Sequence, residues 1–302
     1  MYVAYGQPED ELLKLINDIL VKKKDDTPVI DVVVASKEIT SEENEIEEKL
    51  KLLLKDKNIR LNLLWDMSMI HLDDLPYDNI SKLPDVFTIF RKQAEIKGES
   101  NYKVRKPAML SPSYSLPTLK FEDSFNWGVE KMPNKAEFKE SPNSAIFGFR
   151  GGESQAMERT MSYFFNSDGL ENYKTTRNGL IGKEYSSKLS MWLAIGCVSA
   201  RYLYWKVKEY EEKNRANEST KAFAFELLWR DFFKFQSKKY GKFIFFLNGC
   251  HSTANKRPNS ASSLVDDKKW KTDKDLFEKW CNGQTGTFIF LKFNLYDFCP
   301  KT

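Results

Sequence analysis

Along the first third of the chain, short apolar runs alternate with stretches whose apolar positions recur every three to four residues. Residues 2–5 read as a short strand. Residues 8–24 read as a helix with Leu12, Leu13, Leu15, Ile16, Ile19 and Leu20 on one side. Residues 29–35 are a run of β-branched side chains, which predicts a buried strand. Residues 41–55 read as a charged helix ending in a leucine stripe, and residues 59–65 as another strand. The order β-α-β-α-β predicts a Rossmann-like parallel sheet with crossover helices. From residue 98 to 150 the periodicity is lost. Pro107, Pro112, Pro117, Pro133 and Pro142 punctuate a polar stretch that reads as an interdomain connector. From residue 153 the pattern is helical, first over 153–165 with Met157, Met161 and Phe164 at helical spacing. Residues 189–210 and 220–240 carry the longest helical patterns. Residues 252–269 read as a polar loop, and a further helix begins at 276. The fold class expected is therefore an α/β domain with a parallel sheet over 1–97, a connector over 98–150, and an all-α domain over 151–302.

Composition narrows this picture. The chain has 302 residues with a net charge of +4, so its overall charge makes no strong case for nucleic acid, although a local basic face remains open. Aromatic residues make up 14% and concentrate in the second half, which suits a packed helical core, a flat π ligand, or both. Cys197, Cys250, Cys281 and Cys299 are far apart and only two histidines are present, which argues against a structural zinc site. The cysteines read as reduced thiols, and the chain as a soluble intracellular protein of a reducing compartment. No apolar run approaches the roughly 18–20 residues of a membrane helix. The first residues lack the basic and apolar regions of a signal peptide.

Three segments carry candidate chemistry. In residues 173–190, Tyr173 and Arg177 precede a glycine-punctuated loop that ends in Ser186, Ser187, Lys188, Leu189 and Ser190. A hydroxyl-rich turn with a cation at a helix start can cradle a phosphate, and the same residues also make an ordinary serine N-cap. In residues 226–235, Glu226 and Arg230 are four apart on a helix with Trp229 beside them. This is a recognition surface or a plain exposed ion pair over aromatic core. Residues 65–76 contain His71, read as a structural histidine, and residues 85–92 follow it.

Together these segments resemble the photolyase/cryptochrome family, and most closely its cryptochrome DASH branch. The resemblance implies an all-α flavin-binding domain and light-driven repair of cyclobutane pyrimidine dimers, favouring single-stranded DNA, or blue-light photoreception. It implies FAD as cofactor. Tyr173 would lie along the adenine dinucleotide, Ser186, Ser187, Lys188, Leu189 and Ser190 would bind its pyrophosphate and ribitol, and Arg230 would reach its phosphate. Arg177 would contact the DNA backbone. Glu226 would hydrogen-bond the pyrimidine dimer and Trp229 would stack on it. Trp270 aligns with the outermost tryptophan of the family's electron-transfer chain. Residues 37–43 resemble the region that holds a folate antenna, methenyltetrahydrofolate, with Glu42 or Glu43 as candidate contacts. A carboxylate-rich N-cap at Ser41 explains those residues without a ligand.

The resemblance covers about residues 1–286 and only the middle of the family's pattern. The family's first strand has no counterpart, and neither do the helices that close the flavin pocket. A chain truncated at both ends is therefore expected, monomeric and impaired in repair. The alternative is a non-catalytic nucleic-acid-binding or light-signalling remnant without flavin.

Overall fold

The computed structural model describes residues 6–21, 30–95, 103–107, 148–179, 182–246, 250 and 272–285. They fall into two units, 1–242 and 243–302. The expected strand at 2–5, most of the proline-punctuated connector, the polar stretch 252–269 and Trp270 lie outside the described residues.

The first unit opens with helix α1 (Pro8–Val21), strand β1 (Val32–Ser36), helix α2 (Ser41–Lys55) and strand β2 (Arg60–Leu64). The strands pair in parallel, from Val32 opposite Arg60 to Ser36 opposite Leu64, with α2 as the crossover. Thr40, rather than Ser41, is the N-cap of α2, and its hydroxyl donates to the Glu43 carboxylate. Ile16, Leu54 and Ile59 form a small core beneath one face of the sheet, with Val33 and Leu61 against it. The expectation of a fully buried strand is corrected here. Side chains alternate across a strand, and among the described residues only one face is covered. Val32, Val34 and Leu64 on the other face are exposed.

After β2 the chain runs through residues 65–86 into helix α3 (Phe87–Ala94). Helix α4 (Glu153–Met161) continues into a wider π-type turn at Ser162–Asn166. A single helical turn, α5 (Tyr173–Thr176), precedes the glycine-punctuated loop. The long helix expected over 189–210 is two helices, α6 (Ser190–Ala194) and α7 (Ala200–Lys213). Gly196 breaks it with a φ of 76°, where a side chain would be strained. The Ser199 hydroxyl then starts α7 by accepting from the Tyr202 N–H at 3.0 Å.

Helix α8 (Glu218–Tyr240) organises the larger core. Asn217 and Thr220 close a reciprocal capping box at its start. Phe223, Leu227, Leu228, Phe232 and Phe235 are buried along it. They pack with Trp65, Met69, Leu83, Phe87 and Phe90 from the first third, and with Phe164, Leu170, Leu203 and Val207 from the helical part. Much of the aromatic excess is therefore core. In the second unit, helix α9 (Lys274–Cys281) begins at Asp273, whose side chain accepts from the Leu276 N–H.

Candidate functional site

The serine turn adopts a strained backbone. Ser186 and Lys188 have φ values of 70° and 59°, whereas Leu189 is at −78°. Successive residues of opposite hand turn their N–H groups toward one side, which is how a backbone forms an anion-binding concavity. Gly182 enters the turn at φ 117°, and an added Cβ would lie 3.0 Å from the Tyr185 ring. Leu189 is buried and anchors the turn to the core. Ser187 is buried, and its hydroxyl accepts from the Leu189 N–H at 3.4 Å. The Lys188 N–H has no acceptor among the described residues, and burial lowers the pKa of the Lys188 ammonium. The Lys188 N–H, the serine hydroxyls and a cation form a donor set that fits a pyrophosphate.

Arg159 holds this turn from below, and sequence reasoning missed it. Its Nε–H donates to Ser187 O at 3.0 Å and its Nη2–H to Lys183 O at 2.9 Å. Its Nη1 pairs with Glu184 at 3.0 Å. The helical pattern of α4 singled out Met157 and Met161, yet these are 36% and 37% exposed while Arg159 is 5% exposed. A charged side chain in a helical pattern reads as solvated, and only its distant partners, the carbonyls of Lys183 and Ser187, mark Arg159 as interior.

On α8 the expected residues are brought together in part. The Arg177 guanidinium forms an ion pair with the Glu226 carboxylate. Tyr173 is buried with its ring edge-on to Phe223, and loss of hydration pushes its hydroxyl pKa up to about 12. Trp229 is half-buried. One face stacks on Phe87, with ring centroids 3.5 Å apart and planes 12° apart, and Phe233 stacks beside it at 5.6 Å. Arg230 donates to Met67 O at 2.7 Å and Leu193 O at 3.3 Å, tying α8 to the end of α6. Two of its five N–H donors are thereby engaged. Asp231, absent from the expected set, is fully buried and accepts from the N–H groups of Met69 at 3.0 Å and Ile70 at 2.8 Å.

A cavity of about 520 Å³ opens beside the ion pair, lined by Arg91, Lys174, Arg177, Tyr204, Lys221 and Phe225 among others. Ser186 to Ser190 do not line it. The serine turn and the Arg177 side are linked through α8 and α6, by the bond from Arg230 to Leu193 O. At residues 37–47, Lys37 pairs with Glu47, and the Glu38 N–H donates to Glu47 at 2.5 Å. Glu43 is taken by Thr40, while Glu42 is exposed. His71 is a structural cap whose Nδ1 accepts from the Asp73 N–H at 3.2 Å. Among the described residues there is no group of three or more side chains that would hold a metal ion, and no helix is long and apolar enough to cross a membrane.

No protein-family model matches the chain. Cryptochrome DASH of Danio rerio is 37% identical over 295 residues, covering 95% of this chain and 50% of that protein. Cryptochrome DASH of Xenopus laevis is 38% identical over 288 residues, covering 93% and 49%. The crystal structure of a cryptochrome from Synechocystis superposes with a TM-score of 0.75 at 33% identity, covering 97% of this chain and 55% of that one. The chain thus spans about half the length of the relatives it matches, and over that span it is a homologue of cryptochrome DASH, within the photolyase/cryptochrome family.

Proposed function

We propose that the chain carries the pyrophosphate-facing and nucleic-acid-facing part of a cryptochrome DASH-like flavoprotein. Its activity is light-driven repair of cyclobutane pyrimidine dimers in single-stranded DNA, or blue-light photoreception on the same core. In this reading residues 1–97 are the partial α/β portion, 98–150 the connector and 151–302 the partial helical flavin portion.

The observation that carries the reading is the alternating-hand turn at Ser186–Leu189, where the Lys188 N–H has no acceptor among the described residues. FAD would be held there by the backbone and hydroxyls of Ser186, Ser187 and Ser190, by Lys188 and Leu189, by Tyr173, and by Arg230. When bound and reduced, it supplies the electron that splits the dimer. The chain's own groups position the nucleic acid. Arg177 neutralises a backbone phosphate, Glu226 accepts from a base edge, and Trp229 offers a π-face to an unstacked base. Trp270 would relay electrons to the flavin. A folate antenna over residues 37–43 would have the exposed Glu42 as its available carboxylate.

The test is spectroscopic. The purified protein is incubated with FAD, desalted and scanned, then illuminated with a single-stranded oligonucleotide containing one thymine dimer. A retained blue-absorbing flavin band with light-dependent loss of dimers supports repair. A retained flavin that changes redox state in light without repair supports photoreception. A protein that retains no flavin and binds no oligonucleotide overturns both.

A further inference from the structure

We propose that Arg159 is a positioning residue that holds the 183–189 turn in its anion-receiving form. The inference rests on the pyrophosphate reading above and deepens it. It comes from geometry alone. The guanidinium is buried between the rings of Phe149 and Tyr163, at 5.2 and 4.9 Å from their centroids, so its plane is fixed before it meets the turn. From there it binds the turn at Lys183 O, Ser187 O and the Glu184 carboxylate.

The consequence follows from the planar trans peptide. No cis peptide occurs among the described residues, and in a trans unit the C=O and the next N–H point opposite ways. Drawing the Ser187 carbonyl toward Arg159 therefore turns the Lys188 N–H to the far side. Drawing in the Lys183 carbonyl does the same for the Glu184 N–H. The left-handed residues Ser186 and Lys188 need such an external hold, because neither is a glycine. A fixed positive charge beneath the turn also favours an anion above it. Lysine cannot reproduce this. Its single ammonium lacks the planar fork that reaches two carbonyls and a carboxylate together.

The proposal is tested on the full chain with ADP and adenosine as probes, comparing the wild type with Arg159→Lys and Glu184→Ala. The wild type binds ADP more tightly than adenosine, since only ADP carries a pyrophosphate. Arg159→Lys is expected to weaken ADP at least tenfold with adenosine affinity unchanged. It should also raise tryptic cleavage after Lys183 and Lys188. Glu184→Ala removes one of the three contacts from an exposed position, and is expected to weaken ADP about threefold. An Arg159→Lys protein that unfolds cooperatively and keeps the ADP-to-adenosine ratio overturns the proposal. If Arg159→Lys does not fold, an unchanged ratio in Glu184→Ala overturns it instead. A wild type that binds adenosine and ADP equally, with the turn still protected from trypsin, overturns the pyrophosphate reading and the proposal with it. A turn readily cut in the wild type overturns the positioning role alone.

Discussion

Arg177 and Glu226 lie 49 positions apart, yet they form one ion pair between the end of α5 and the face of α8. Each is expected to meet nucleic acid separately, one at a phosphate and one at a base edge. In the free chain they neutralise each other instead. The pair is more than a third exposed on the Glu226 side, so water screens it and its worth is under about 1 kcal/mol. That is small enough for a ligand to open.

Glu226→Gln should therefore release Arg177 and strengthen binding of an undamaged single-stranded oligonucleotide by up to about fivefold at low salt. Arg177→Ala should weaken it and lower the slope of log affinity against log salt by about 0.7. Fluorescence anisotropy across a salt series measures both. Equal slopes for wild type and Arg177→Ala would show that this arginine meets no phosphate.

Arg230 has a structural load that precedes any cofactor. It joins α8 to Met67 O and Leu193 O, and through Leu193 to the helix that starts at Ser190. Arg230→Ala leaves two carbonyls without their charged donor, a loss of about 1–3 kcal/mol. The flavin-free protein should therefore unfold at lower urea in Arg230→Ala than in the wild type. A loss of flavin retention with unchanged apo stability would instead place the guanidinium's main role at the phosphate.

Asp231 sets a pH dependence. Burial pushes its carboxyl from 3.8 up to about 7, against the pull of the Met69 and Ile70 N–H groups and Arg230. The folded state thus holds this proton more tightly than the unfolded chain does. Its contribution is complete below pH 3.8 and is lost as pH rises to about 7, a change on the order of 4 kcal/mol. His71 works the other way, because burial lowers its pKa and charging it costs stability as pH falls. Comparing the wild type with Asp231→Asn isolates the Asp231 share. Urea midpoints of the wild type should rise relative to the variant as pH falls from 7.5 to 5.

Local rules made much of this fold legible. The bounds of α2 follow from its charged start and leucine stripe, and α8 lies within two residues of its periodic pattern. The break between α6 and α7 was also written locally, in Gly196 and the capping Ser199, but a continuous apolar pattern across them masked it. What stayed hidden depends on long-range partners. Arg159 is charged, so a hydrophobic pattern assigns it to water, and only the carbonyls of Lys183 and Ser187 make it an interior residue. Asp231 is inside for the same reason, through backbone groups more than 160 positions away. The serine turn was legible by residue type, whereas its left-handed backbone was not, because Ser and Lys seldom adopt it.

Trp229 supplies the last prediction. A base can stack only on an open indole face, and here Phe87 covers one at 3.5 Å while Phe233 leans on the indole at 25° to its plane. Phe87 is buried and fixed, whereas Phe233 is 60% exposed and is the ring able to leave. Phe233→Ala should therefore open a face of Trp229 at little cost in stability. Oligonucleotide binding should tighten by about fivefold or more, with stronger quenching of tryptophan fluorescence on binding, because stacking one base contributes roughly 1–3 kcal/mol. Trp229→Ala should abolish both gains in the Phe233→Ala background. If the double variant binds as tightly as Phe233→Ala alone, the indole is core packing and no base rests on it.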